Sequence, residues 1–445
     1  MTRLWVTGAQ VPLCLLDEHL SDAGEGLALV DIEVADGLIA AIRLAASDGV
    51  PKGAALLEQN GGQVWPGFVD MHTHLDKGHI WPRAENPDGT FAAALEAVEG
   101  DRAAHWNAAD LRARFEFGLR CAFAHGTVAL RTHLDSRPPQ HRISWPLFAE
   151  LRAKWAGRID LQAVALVAIE EMAGPFGEEI ADLVARAGGV LGCATSMVPG
   201  LAALLDRVFA LAAERRLDLD FHVDESLDPA ACSLRAIAET ALRHRFSGKI
   251  LCGHCCSLAV QEPADVLRTL DLVAKAGIAV VSLPLCNLYL QDRVPGRTPR
   301  QRGVTLVHEM AARGIPLAFA SDNCRDPFYG YGDHDPLEVF REAVRIARLD
   351  RPVGAWPAAL TRTPALLMGL PAHGRIAPGA PADLVLFKAR GYSELLSRPQ
   401  ADRVVLRAGR PIDTTLPDYR ELDALLGRPA LSRRRGSARP ADRAG

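Results

Sequence analysis

Two histidines one residue apart, His72 and His74, stand at the end of the apolar run Phe68-Val69-Asp70-Met71. In a strand, residues two apart share a face, so both imidazoles can aim at one point. An isolated His-x-His pair arises readily by chance and carries little weight. Three other strand-like runs end in similar chemistry: 219–223 contains His222 and leads into Asp224 and Glu225, 250–252 is followed by His254, and 317–320 by Asp322. Taken singly, His254 reads as a hydrogen-bonded structural histidine and Asp322 as a cap on a turn. Imidazoles and a carboxylate at four separate strand ends read instead as a metal-ligand set. Nitrogen and oxygen donors without a thiolate suit Zn²⁺, Fe²⁺ or Mn²⁺.

The elements that must position these groups follow from the rhythm of the chain. From Val64 onward, short apolar runs at 68–71, 128–130, 163–167, 190–193, 219–223, 250–252, 278–281 and 317–320 alternate with amphipathic stretches such as 110–123, 181–187, 233–243 and 264–276. Strand, helix, strand in repetition implies parallel pairing with right-handed crossovers. Eight strands suit a closed (β/α)8 TIM barrel, whose catalytic groups gather at the carboxyl ends of the strands. A doubly wound sheet also fits the alternation, but its GxGxxG phosphate loop after the first strand is missing. Before residue 64, the runs around Ile32 and Val34, the dipeptide Asp36-Gly37, and Leu38-Ile39 predict a hairpin. Late runs at 382–387 and 404–406 read as strands again, after helical sequence over 354–368. The expected organisation is a small β domain from 1–63 and 372–431, a barrel over 64–371, and a disordered tail over 432–445.

At 445 residues with 49% hydrophobic and 23% charged residues, the chain has the composition of a globular protein with a sizeable core. Its 50 Lys and Arg against 54 Asp and Glu give a net charge of −4, so no basic field favours nucleic acid or an anionic membrane. No run approaches the ~18 apolar residues of a membrane span, and no secretory leader pattern opens the chain. The expectation is a cytoplasmic enzyme with a small-molecule partner, in a homo-oligomeric assembly. Nine cysteines, an odd number, suit reduced thiols. Cys252, Cys255 and Cys256 form a CxxC group that lacks a second pair to complete a four-sulfur zinc site, and a structural role is expected.

Longer motifs surround the candidate ligands: Pro66-Gly67-Phe68-Val69-Asp70-Met71-His72-Thr73-His74-Leu75-Asp76, Arg131-Thr132-His133-Leu134-Asp135, His222-Val223-Asp224-Glu225, Gly253-His254, Pro284-Leu285-Cys286-Asn287-Leu288 with Leu290-Gln291, Ser321-Asp322 with Asp326-Pro327, and Gly374-Arg375-Ile376 with Ala382-Asp383-Leu384-Val385. On these the chain resembles the amidohydrolase superfamily, in its cytosine deaminase-like branch, and is similar to N-isopropylammelide amidohydrolase. The resemblance implies a distorted barrel with a small β-sandwich built from both chain ends. It implies one divalent ion per chain, Zn²⁺ or Fe²⁺, held by His72, His74, His222 and Asp322. It makes Glu225 the proton shuttle and His254 a hydrogen-bonding neighbour of the attacking hydroxide, with Asp322 also serving the proton transfer. The end of the fourth strand holds Gly192-Cys193-Ala194, so the bridging lysine of binuclear relatives has no candidate there.

The implied reaction is hydrolysis of a C–N bond in a small N-heterocycle, a pyrimidine, triazine or pterin-like ring, with release of ammonia by metal-hydroxide attack. An alternative keeps the site but expels an alkylamine or cleaves an amide; a remote one is a non-catalytic assembly protein. Substrate contacts are expected from Ala168, Gln291, Asn323, Lys77 and Trp81, and the loop 77–91 is expected to cover the site, with His133 facing it or serving structure. Ala168 replaces a glutamine and Asn323 an acid of cytosine deaminases, so cytosine is expected to be a poor substrate.

Overall fold

A computed structural model describes residues 3–45 and 54–427. The anticipated hairpin forms between β2 (Leu27–Ala35) and β3 (Leu38–Leu44), turning at Asp36 and Gly37, both at positive φ as a two-residue hairpin loop requires. The sheet is completed by β1 (Arg3–Pro12), antiparallel to β2, and β4 (Ala55–Glu58), parallel to β1. A second four-stranded sheet joins the chain ends: β5 (Val64–Pro66) pairs with β14 (Leu384–Leu386), followed by β15 (Val404–Arg407) and β16 (Arg410–Pro411). Val6, Val30, Ile32, Val64, Leu384 and Leu406 from the two sheets share one buried cluster. Val64–Pro66, placed with the barrel on sequence, pairs antiparallel with Leu384–Leu386 in this sheet.

Eight parallel strands follow. β6 (Phe68–Thr73), β7 (Thr127–Asp135) and β8 (Asp160–Leu166) form one sheet. β9 (Leu191–Thr195), β10 (Leu219–Val223), β11 (Ile250–His254), β12 (Ala279–Ser282) and β13 (Leu317–Phe319) form another. Parallel bridges Val164↔Val190 and Ala168↔Ala194 join β8 to β9, and Thr73↔Asp322 joins β6 to the end of β13. Successive side chains serve opposite faces: Phe68 and Leu130 pack in the large core shared with the helices, while Val69, Met71 and Ala129 join Leu251, Val281 and Ala318 in a separate cluster.

Helices α1 (Phe91–His105) and α2 (Ala108–His125) lie between β6 and β7. α2 starts at Asn107, whose side chain accepts the amides of Ala109 and Asp110, and stops at Gly126, at φ 103°. α3 (His141–Trp155), α4 (Pro175–Ala187), α5 (Leu201–Arg215), α6 (Ser233–His244) and α7 (Pro263–Lys275) connect the strands through β12. α8 (Pro284–Leu290) and α9 (Val307–Ala311) precede β13, and α10 (Pro336–Ala347) follows it. The expected helical stretch 354–368 is divided into a 3-10 turn, Trp356–Leu360, and α11 (Arg362–Leu367), because Pro357 and Pro364 cannot donate to a continuous helical ladder. The tail 432–445, expected to be disordered, lies outside the described residues. No described helix is long and apolar enough to cross a membrane.

Candidate active site

His72 lies inside β6, with His74 just beyond it; His222 is in β10, His254 ends β11, and Asp322 stands three residues past β13. Asp224, His254 and Asp322 all take positive φ, so the chain turns sharply at these strand ends. The Asp322 amide donates to the carbonyl of His72 at 2.8 Å, tying the two ends together. Asp322 Oδ1 is 3.2 Å from His74 Nε2 and 3.6 Å from His72 Nε2, and His222 Nε2 is 3.3 Å from His74 Nε2. Donors held ~2.0–2.2 Å from a single ion at tetrahedral angles lie ~3.3–3.6 Å apart, so these spacings fit one cation.

The donors also lack other partners. Both nitrogens of His72, Nδ1 of His222, Nε2 of His254 and both oxygens of Asp322 are buried without a hydrogen bond among the described residues. Burial, and then the neighbouring imidazoles, hold His72 and His222 well below the ordinary histidine range, and burial with Lys77 does the same to His74. The imidazoles are therefore neutral at pH 7, the form that ligates a metal. Burial pushes Asp322 up to about 8, a preference for the proton that a bound cation opposes. Gly253, on β11, is part of the fit: a Cβ there would stand 2.9 Å from Cε1 of His72 and 3.2 Å from its Nδ1.

Glu225 follows β10, and its Oε1 is 3.2 Å from His254 Nδ1. Asn287, on α8, donates from Nδ2 to the same Oε1 at 3.2 Å and lies 3.0 Å from His254 Nδ1. Burial, followed by the nearby Asp322 carboxyl, raises Glu225 well above the usual carboxylate range, so it holds a proton readily. Lys77 pairs with Asp135 at 2.9 Å and lies 3.5 Å from His74 Nδ1. Burial works against the Lys77 charge, but Asp135 and Asp76 outweigh it and raise its pKa. His133, inside β7, stacks 3.9 Å from the ring of His72 and lies 3.9 Å from Asp220, which is paired with Arg131 at 2.9 Å. It backs His72 and does not line the cavity.

These groups open into a cavity of about 680 Å³, within the ~300–1,000 Å³ usual for small-molecule sites. Lys77, Ala168, Glu225, His254 and Asn323 line it. Two of the expected substrate contacts lie elsewhere. Gln291 ends helix α8 instead of a loop and donates to the backbone carbonyl of Glu225 at 3.2 Å. The Trp81 ring packs at Gly330, its backbone amide bonded to Arg325. The loop 77–91 is more deeply packed than a simple cover: 77–80 is buried, and one further wall comes from α1 through Phe91, Leu95, Val98 and Arg102. Helix α1 was not anticipated, because its alanine-rich sequence buries only Ala94, Val98 and Asp101 and shows little apolar periodicity. Asn287 was missed as a site residue, its only signal being the motif that contains it. Cys252, Cys255 and Cys256 are buried free thiols, each held well above the ordinary thiol range by burial.

The amidohydrolase family model matches residues 153–413. A pterin deaminase from Rhizobium rhizogenes (strain K84 / ATCC BAA-868) is 55% identical over 426 residues, covering 96% of this chain and 97% of that protein. The solved structure of 5-methylcytosine deaminase from Klebsiella pneumoniae with 5-fluorocytosine superposes at a TM-score of 0.77 and 24% identity, covering 93% of this chain and 98% of the other. That of N-isopropylammelide isopropylaminohydrolase from Burkholderia multivorans ATCC 17616 gives 0.74 at 25% identity, covering 94% and 100%. The chain belongs to the amidohydrolase family and is a hydrolase acting on carbon–nitrogen bonds, a deaminase.

Proposed function

We propose that this enzyme removes the exocyclic amine of a fused 2-amino-4-oxo heterocycle of the pterin kind, releasing ammonia. The observation that carries this reading is the 55% identity to a pterin deaminase along 96% of the chain. His72, His74, His222 and Asp322 would hold one divalent ion, Zn²⁺ or Fe²⁺, as their spacing and unpartnered donor atoms support. The eight parallel strands, bridged at both seams, are read with it as one distorted (β/α)8 barrel over 67–371. The two smaller sheets are read as a β-sandwich made from both chain ends.

The ion supplies Lewis acidity and, by lowering the pKa of water, a nucleophile at neutral pH. The remaining chemistry belongs to the chain. Glu225, favoured in its protonated form by burial, can hand its proton to the ring nitrogen beside the attacked carbon, take up the proton of the added hydroxyl, and pass that proton to the departing amine. Asn287 and the Gln291 amide fix its carboxyl and its backbone. His254, neutral because burial depresses it to about 3, offers Nε2 as a hydrogen-bonding group toward the attacked carbon. Lys77, pinned by Asp135, places an ammonium at the wall that can donate a hydrogen bond to a ring carbonyl.

The wall also argues against cytosine. Ala168 brings no hydrogen-bonding side chain to the cavity, and Asn323 directs an amide N–H at Asp326, donating to it at 2.8 Å. Ammonia release should be compared for pterin, cytosine and N-isopropylammelide with purified enzyme. Pterin should be turned over near the ordinary ~10⁴ M⁻¹s⁻¹ or above and at least ~100-fold better than the others. Preference for cytosine would overturn the ring assignment, and release of an alkylamine in place of ammonia would establish the alternative chemistry.

A further inference from the structure

A second group of ligating side chains lies outside the cavity. His79, Cys324 and His334 each offer one ligand atom, all within 4.8 Å of one another. Each residue is 1% exposed, and none lines the cavity. They come from three segments: the turn after β6, the turn after β13, and the approach to α10.

Both ring nitrogens of His79 and both of His334 are buried with no hydrogen-bond partner among the described residues. A neutral imidazole has one N–H to donate and one lone pair to fill, and each unmet group costs about 1–3 kcal/mol. Two adjacent rings with the same deficit, beside a buried thiol, are a poor choice for filling apolar space. The surroundings are nonetheless shaped around them. His79 packs edge-on against Phe117 with ring centroids 4.7 Å apart, and the two imidazole centroids are 5.9 Å apart. A Cβ on Gly118 of α2 would stand 3.1 Å from His334 Nε2, so glycine leaves the ring its place. Burial depresses His79 well below the ordinary range and His334 to about 4, so protonation does not relieve the deficit at neutral pH.

We propose that His79, Cys324 and His334 bind a second divalent transition-metal ion, structural in role, with zinc the best match to two imidazoles and one thiolate. Binding expels the Cys324 thiol proton to solvent and forms one metal–sulfur and two metal–nitrogen bonds, the remaining position going to water. The ion would fasten the two turns that already run alongside each other, where the backbone amide of His79 donates to the Cys324 carbonyl at 3.0 Å and that of Trp81 to the Arg325 carbonyl at 2.8 Å. Those turns carry Lys77 and Asn323 into the cavity. The second ion therefore acts on the active site through loop position and not through contact with substrate.

The two clusters differ in donor chemistry, which makes the test specific. In cobalt-loaded full-length enzyme, a thiolate ligand adds a near-ultraviolet charge-transfer band that nitrogen and oxygen donors do not produce. The band should be present in the wild type, lost in Cys324→Ser, and retained in His72→Ala. Elemental analysis should read two metal equivalents in the wild type and one in each variant. If Cys324→Ser does not fold, X-ray absorption of the zinc-loaded wild type decides, with a sulfur neighbour at ~2.3 Å expected. Absence of sulfur ligation in the wild type overturns the proposal, as does a band that survives Cys324→Ser and disappears in Cys286→Ser.

Discussion

Glu225→Gln separates proton transfer from structure. The Glu225 carboxyl meets Asn287 Nδ2 and His254 Nδ1, each 3.2 Å from Oε1. Glutamine keeps an oxygen to accept from Asn287, so the hydrogen-bonding loss is at most about 1 kcal/mol, roughly fivefold. Loss of a general acid–base group costs ~10²–10⁴ in rate, or about 2.7–5.5 kcal/mol of barrier. The lost proton transfer should dominate, lowering kcat by at least ~100-fold with KM little changed. Because burial disfavours the Glu225 carboxylate, the neutral amide should also leave the melting temperature unchanged or higher. Steady-state ammonia release, thermal melting and elemental analysis on the same preparations make the comparison. A kcat within tenfold of wild type, or a loss confined to KM, would refute the shuttle role; loss of metal would move Glu225 into the ligand set.

Removing metal with a chelator should abolish turnover and returning Zn²⁺ or Fe²⁺ should restore it, as assayed by ammonia release; full activity in metal-depleted protein would contradict the ligand assignment. His222→Ala should cost one metal equivalent and all measurable turnover, read by elemental analysis and the same assay. Gly253→Ala should force the His72 ring aside, at the ~1–3 kcal/mol typical of overpacking, and weaken metal retention about 5- to 150-fold in chelator competition. Asn323→Asp should bring a second carboxyl against Asp326 where an amide now donates at 2.8 Å, a charged hydrogen bond of about 1.5–3 kcal/mol. It should lower the melting temperature and create no cytosine activity; a gain on cytosine without loss of stability would show that the Asn323 amide is free to read the ring.

The cluster of His72, His74, His222, His254 and Asp322 was legible because strand periodicity and donor type coincide: each lies near or just past the carboxyl end of a strand, and parallel strands bring such ends together. The walls were less legible. Helix α1 gives little apolar rhythm, so its contribution of Phe91, Leu95 and Val98 to the cavity is visible only once the chain is folded. Gln291 lies close in sequence to Asn287, yet the helical turn of α8 directs it to the Glu225 backbone. Trp81 follows Lys77 by four residues, but its backbone N–H donates to the Arg325 carbonyl and its ring packs at Gly330, outside the cavity lining. Loop residues are placed by such single long-range bonds, which leave no periodic trace.

The pairing of Val64–Pro66 with Leu384–Leu386 has a consequence for biosynthesis. During synthesis, the amino-terminal strands leave the ribosome long before the partners that cover Val64, Val30 and Ile32 have been made. At ~5–20 residues per second, the wait for β14 and β15 is on the order of 20–70 s, far longer than a hairpin needs to form. Over that interval the first sheet presents an uncovered apolar face, and β5 lacks its partner strand β14. Chaperone occupancy should therefore concentrate on the emerging first 66 residues, and premature termination before β14 should yield an aggregating fragment.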